Sequence, residues 1–215
     1  MTGVRSDEQV DALQAALLAV DRGLVRKVFM AGVNTLGPVE FMENVVMTVM
    51  DRIGERWEAG ELSLSQVYMA GRICEELSLS VLPESHADRR SDPSVALGVF
   101  EDRHQLGKQL VHSVLRNGGC RVHDLGRLTL HDAIATVRTG TVEVLLLSCL
   151  MVSSALRIER LCAAIHAESL PVKVIVGGAP FRFDENLWRE VGADAMGRTA
   201  SQALTLIDTV TGVGV

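Results

Sequence analysis

Glu101-Asp102-Arg103-His104-Gln105-Leu106-Gly107-Lys108 stands where an apolar run, residues 95–100, gives way to a helical pattern over 108–115. His104 is therefore expected on the loop leaving a buried strand. In open α/β sheets that carboxyl edge is where ligands bind. A histidine there, with an aspartate two residues earlier, can offer one ring nitrogen to a metal while the other donates to the carboxylate. The carboxylate fixes the tautomer and makes the imidazole a better ligand. On this stretch alone the histidine reads first as a solvated or structural loop residue, and only second as a metal ligand.

Downstream, apolar runs over 95–100, 120–125, 142–148, 172–176 and 193–196 alternate with helical patterns over about 106–117, 129–139, 154–168, 184–191 and 199–209. Five β/α units of this length imply a parallel sheet covered on both faces, in the flavodoxin-like, Rossmann-type order 2-1-3-4-5. The switch point of that order lies between the first and third strands, whose outgoing connections run to opposite faces. His104 leaves strand one, Ser148-Cys149-Leu150 leaves strand three beside it, and Gly177-Gly178 leaves strand four. A His–Asp pair, a hydroxyl and backbone without side chains thus meet at one edge. That arrangement suits a long, flat ligand.

Upstream, Ser6-Asp7-Glu8-Gln9 has the capping-box pattern and opens a helix with Val10, Leu13, Leu17 and Val20 on its apolar face, stopping near Gly23. A second helix covers 24–33, and Pro38 suits the first turn of a third that carries Phe41, Val45, Met47, Val49, Met50 and Ile53 towards Trp57. Gly60 breaks it. Ser63-Leu64-Ser65-Gln66 is a second capping box, opening a fourth helix that reaches Leu82. Four amphipathic helices with short connections make an antiparallel bundle. The polar stretch 83–94, bounded by Pro83 and Pro93, marks a linker. The expected class is α + α/β: a helical bundle over 1–84, a linker over 85–94 and an α/β domain over 95–215.

With 215 residues, 47% of them hydrophobic, the chain has ample apolar surface for a core. No run suits a signal peptide or a membrane span, so a cytoplasmic protein is expected. A formal charge of −6 and the lack of a basic stripe argue against nucleic acid as a direct partner. Cys74, Cys120, Cys149 and Cys162 are scattered, with no C-x-x-C pair, and read as small buried hydrophobes.

Asp102-x-His104-x-x-Gly107, then Ser148-x-Leu150, then Gly177-Gly178 resembles the signature of the cobalamin-binding domain of corrinoid proteins, in spacing as well as in letters. Residues 49–61, from Val49 through Trp57 to Glu61, look like the helical cap segment that precedes that domain in methionine synthase and in corrinoid methyl carriers. Val176-Gly177-Gly178-Ala179-Pro180 and Gly192-Ala193-Asp194 resemble the late part of those carriers.

The resemblance implies that His104 replaces the cofactor's dimethylbenzimidazole as the lower ligand of cobalt, the base-off, His-on arrangement. It implies that Asp102 and Ser148 pass a hydrogen bond to and from that imidazole. It makes Gly107, Gly177 and Gly178 the clear walls of a slot for the nucleotide tail, with Leu150 lining the cavity. Arg103, Gln105, Leu106 and Ser153, flanking these positions, complete the implied cofactor contacts, and Trp57 is placed over the upper face. Trp57 also reads as an anchor between packed helices. Two positions depart from the pattern: Glu101 stands where glycine is usual, and Gln105 where an acidic residue commonly follows the histidine. Lys108 is expected to meet solvent or a corrin amide.

The implied function is a cobalamin-binding methyl carrier, not an enzyme by itself, working with corrinoid methyltransferases that load and unload the methyl group on methylcobalamin, cob(I)alamin or hydroxocobalamin. The alternative is a stand-alone sensor of light, redox state or cofactor level, using adenosylcobalamin and a signalling partner. A homodimer is left open. A mutase subunit fits less well, because a helical cap obstructs the face that mutase chemistry presents to a barrel. A DNA-binding photoreceptor is disfavoured by Val67 and Tyr68 at positions where those repressors carry glutamate and histidine.

Overall fold

The computed structural model describes residues 3–82 and 90–212. The chain divides into two compact units, Met1–Leu82 and Pro83–Val215. In the first, α1 (Gly3–Leu18) begins ahead of Ser6, so the expected start at that capping box is replaced by an earlier one; the Ser6 side chain lies outside the described residues. α2 (Arg22–Leu36) is capped by the Asp21 carboxylate, which accepts from the Leu24 amide at 2.9 Å. That cap starts the helix two residues before the sequence pattern suggests.

The expected third helix has a π-helical turn inside it. α3 (Pro38–Phe41) passes through Met42–Val46 into α4 (Met47–Glu58). The wider turn changes the phase of the buried face, which collects Phe41, Met42, Val45, Val46, Val49 and Ile53. Met47 and Met50 are left half-buried. Phe41 meets Phe29 edge-on, with ring centroids 5.1 Å apart. A Cβ on Gly32 would lie 2.0 Å from the Phe41 ring, so glycine lets α2 approach this aromatic. α5 (Leu64–Val81) opens on the second capping box, with Ser63 and Gln66 bonding reciprocally. Helical stability here comes from the buried faces, each large apolar side chain contributing about 1.5–3 kcal/mol.

The second unit is a five-stranded, all-parallel sheet of order β2-β1-β3-β4-β5. Its elements are β1 (Arg90–Phe100), α6 (Leu106–Asn117), β2 (Cys120–Leu128), α7 (Leu130–Arg138), β3 (Val144–Ser148), α8 (Val152–Ala167), β4 (Lys173–Gly177), α9 (Ala179–Phe183), α10 (Leu187–Glu190), β5 (Ala195–Gly197), a 3-10 turn Ala200–Gln202 and α11 (Ala203–Thr211). Alternation along the strands splits the core in two. Leu145, Leu147, Val174 and Val176 face α7 and α8 beneath Ala133, Val137, Ala155 and Ile158. Val95, Leu97, Val144 and Leu146 face the other layer with Leu115, Ala203 and Ile207.

Several boundaries differ from expectation. Of the linker, 83–89 lie outside the described residues, and Arg90–Ser94 belong to β1. Ser94 is tied down by its amide to Glu143 at 2.7 Å and its hydroxyl to the Thr141 carbonyl at 2.6 Å. β2 continues past residue 125 because Gly126, at φ 63, accommodates an irregularity after which Val99 pairs with Arg127 and Phe100 with Leu128. Of the helix expected over 184–191 only α10 (Leu187–Glu190) forms, and a separate short helix, α9, precedes it. Pro180 suits a helix start, and Asp184, extended at φ −119 and ψ 103, ends α9.

Candidate functional site

The site is set by the register of the sheet. Val99 of β1 stands opposite Ser148 of β3, Ser148 opposite Gly177 of β4, and Gly177 opposite Gly197 of β5. One row of aligned residues closes the carboxyl edge, so residues far apart in sequence become neighbours. The loops after β1, β3 and β4 leave this row side by side.

Asp102 is the hub. It is 5% exposed. Its Oδ1 accepts from Nδ1 of His104 at 2.6 Å and from the amides of Arg103 at 2.6 Å and His104 at 3.2 Å. Its Oδ2 accepts from the amides of Leu150 at 2.7 Å and Met151 at 3.0 Å. α8 has Met151 as its N-cap, with no capping side chain there. Asp102 therefore reaches across from the β1 loop to serve amides at the entry of a helix on another loop, where the helix dipole favours negative charge.

Burial on its own pushes the Asp102 carboxyl up, but the hydrogen bonds from His104, Leu150 and Met151 outweigh it and hold the group well below the usual carboxylate range. An ionised carboxylate only accepts, so the proton of the 2.6 Å contact resides on Nδ1 of His104. Nε2 is thereby assigned the lone pair that a metal takes. The imidazole is 47% exposed.

The donor set at this edge is one imidazole with a carboxylate behind it. Among the described residues no group of three or more His, Cys, Asp or Glu is placed to hold a bare ion. A single imidazole suffices for a metal that brings a macrocycle with it, as cobalt does in a corrin ring. A B12 binding domain model matches residues 94–207, more than half of the chain. The chain belongs to the B12 binding domain family. A second B12 binding domain model matches residues 9–78, in the helical unit.

Similar proteins agree. Dimethylamine corrinoid protein 1 of Methanosarcina acetivorans is 27% identical over 205 residues, spanning 92% of this chain and 95% of that one. The solved structure of the Methanosarcina barkeri monomethylamine corrinoid protein superposes with a TM-score of 0.78 at 24% identity, covering 95% of this chain and 99% of that one. The crystal structure of a methanol:cobalamin methyltransferase complex from Methanosarcina barkeri contains a chain with TM-score 0.52 and 19% identity, covering 97% of this chain and 81% of that one. Both structures share the fold of this B12-binding protein.

Within the B12-binding unit the glycines have reasons internal to the protein. Gly178 has φ 117, and a Cβ there would lie 1.9 Å from the carbonyl oxygen of Cys149. The loops after β3 and β4 can approach this closely only with glycine at 178. A Cβ at Gly177 would lie 3.3 Å from the Gly197 carbonyl, and one at Gly107 3.1 Å from Ser148 Oγ. Gly107 thus faces the Ser148 hydroxyl. Ser148 is not among the partners of Asp102, both of whose oxygens are taken by His104 and four amides; the expected Asp102–Ser148 link is absent among the described contacts.

The remaining sequence candidates fall as follows. Arg103 is exposed, Gln105 is the half-buried residue before α6, and Leu106 is the first residue of that helix. Leu150 is 43% exposed, with Met151 and Val152 exposed beside it, an apolar rim at the edge. Ser153 points to solvent in the first turn of α8, whereas Ser154, not singled out from the sequence, is buried and donates to the Glu101 carbonyl at 3.0 Å. Trp57 lies in α4 and is 42% exposed. Lys108 departs from expectation: it is buried, with Nζ 2.7 Å from both carboxylate oxygens of Asp124 on β2. The lysine side chain runs across to the sheet because position 108 falls on the inner face of α6. Gly197 was missed because a three-residue strand carries too little pattern to announce its register. The Cys149 thiol is buried, and burial, aided by the charge of Asp102, pushes it up to about 12.

Proposed function

We propose that this protein is a methyl carrier that holds a corrinoid cofactor base-off, with Nε2 of His104 as the lower axial ligand of cobalt, and serves methyltransferase partners. The observation that carries this reading is the pairing of a half-exposed His104 with an Asp102 whose charge is fixed by four amides. Its relatives are corrinoid proteins named for methylamines, and its fold recurs in a chain of a cobalamin methyltransferase complex. These similarities lend no support to a light or redox sensor or to a homodimer.

The bound cofactor would supply the cobalt on which a methyl group rides. The protein's part is binding, orientation and proton placement. Asp102 keeps the proton on Nδ1 and holds the ring at one angle, so that Nε2 points where a ligand is needed. Ser148, beside Gly107 and in register with Gly177, would line the slot for the displaced nucleotide tail. Leu150 and Met151 are exposed apolar side chains at this edge that would pack against the cofactor. The helical unit, matched by its own B12 binding domain model, is assigned the role of a cap, and its exposed Trp57 is the candidate cofactor contact within it. No step of bond making falls to a side chain, so turnover needs separate enzymes to load and unload the methyl group.

Reconstitution with hydroxocobalamin tests the reading. The protein should show a histidine-ligated absorption spectrum, and His104→Ala should convert it to a water-ligated one. Unchanged cobalt ligation in that variant refutes the assignment of the lower ligand.

A further inference from the structure

Residue 101 sits in the left-handed region, φ 48, and it is a glutamate. A side chain in that conformation persists only where its surroundings over-determine it, and such positions gather at functional sites. Four ties hold this one. Its amide donates to the Leu128 carbonyl at the end of β2 at 2.8 Å, and its carbonyl accepts from the buried Ser154 hydroxyl of α8 at 3.0 Å. Its Oε1 accepts from the Leu130 amide at the start of α7 at 3.0 Å, and its Oε2 meets Nε of Arg157 on α8 at 2.7 Å. The carboxylate is only 13% exposed, so these contacts are shielded from water.

We propose that Glu101 is a positioning residue for the cobalt ligand, resting on the assignment of His104 above. Glu101 and Asp102 are consecutive, and both grip α8: Asp102 through the amides at its entry, Glu101 through Ser154 and Arg157, about one and two turns further on. Glu101 adds α7 and the end of β2. The loop is thus braced at two consecutive residues, 101 and 102, and the imidazole that Asp102 orients is held before a cofactor arrives. A glycine at 101 would adopt the same φ without strain and could keep the backbone ties, but it has no carboxylate to reach Leu130 and Arg157. Preorganisation by a side chain is what this chain has in place of that glycine.

Three variants test the proposal: Glu101→Gly, Arg157→Ala and, as reference, His104→Ala. Each is loaded with hydroxocobalamin and reduced to the cob(II)alamin state. The readouts are the nitrogen superhyperfine splitting of its EPR spectrum and the apparent Kd for hydroxocobalamin. Glu101→Gly should melt close to the parent as apoprotein, because relief of strain offsets the lost contacts. It should nevertheless lose part of the nitrogen-coupled signal and bind about tenfold more weakly, the scale seen when an outer-shell partner of a metal ligand is removed. Arg157→Ala, at a half-exposed position, should move both readouts the same way by less. A full nitrogen-coupled signal and parental Kd in both variants overturn the positioning role. If His104→Ala itself keeps the nitrogen coupling, the ligand assignment has failed instead, so the two failures are distinct.

Discussion

Oδ1 of Asp102 lies 2.6 Å from Nδ1 of His104, while the other oxygen of the same carboxylate receives the amides of Leu150 and Met151 from a different loop. One side chain therefore fixes both the tautomer of the imidazole and the distance between the β1 and β3 loops. Replacing it with asparagine leaves an NH2 group facing donors. Asp102→Asn should weaken hydroxocobalamin binding by roughly 10–100-fold, and should lower the melting temperature of the apoprotein as well. Absorption titrations and thermal melts check this. A variant that binds poorly but melts like the parent would show that the amides at the entry of α8 do not depend on Asp102.

Gly178 and Gly177 should respond differently to alanine. At 178 the new Cβ would meet the Cys149 carbonyl oxygen at 1.9 Å in a backbone of φ 117; at 177 the nearest atom is 3.3 Å away. Gly178→Ala should cost at least about 2 kcal/mol, combining strain at a special φ with a clash against backbone, and Gly177→Ala should cost under about 1 kcal/mol. Urea unfolding gives both values. Equal losses would mean the β3 and β4 loops are free to separate.

Most of the sheet was legible because apolar runs of four to six residues, alternating with helical periods, admit few other topologies. The order of the strands followed, and with it the edge on which His104, Ser148 and Gly177 meet. What the sequence hid were relationships carried by backbone or by single long side chains. Nothing in the letters around Met151 says that its amide bonds a carboxylate from another loop. Lys108 reads as a surface lysine until β2 is seen to bring Asp124 under it. The π-helical turn at Met42–Val46 was invisible because its residues form an ordinary helical pattern, and packing alone sets the wider turn. Glu101 was recognisable as a departure, but its left-handed φ and its four partners were not.

The Lys108–Asp124 pair predicts how stability follows pH. Burial pushes the Asp124 carboxyl up, but the hydrogen bonds from Lys108 and the Gly126 amide prevail and hold it below its ordinary value. A carboxyl lowered by folding contributes stability that is fully present above the unfolded value of about 3.9, and this is lost as pH falls through the folded value. Asp124→Asn should flatten that acid limb. Because Lys108 stays buried without its counter-charge, the variant should also lose on the order of 2 kcal/mol near neutrality, less than for a fully buried pair since Asp124 is 40% exposed. Urea midpoints measured between pH 3 and 7 decide; parallel curves for parent and variant would remove Asp124 as the source.

Cys149 sits within the site but is shielded from chemistry there. Its residue is 2% exposed, its amide donates to the Gly177 carbonyl at 3.2 Å, and its carbonyl packs against Gly178. Burial, then the nearby charge of Asp102, pushes the thiol up to about 12. The thiolate is the reactive form and the metal-binding one. At pH 8 a thiol with that value is ionised to about one part in ten thousand, and reagent cannot reach it without opening the β3–β4 edge. Cys74 and Cys162 are likewise buried and raised to about 12, and Cys120 is buried on β2. The folded apoprotein should therefore resist an aromatic disulfide reagent at pH 8, and all four thiols should react at once in denaturant. Rapid labelling of Cys149 alone in the folded protein would show that the edge carrying His104 opens far more readily than this packing allows.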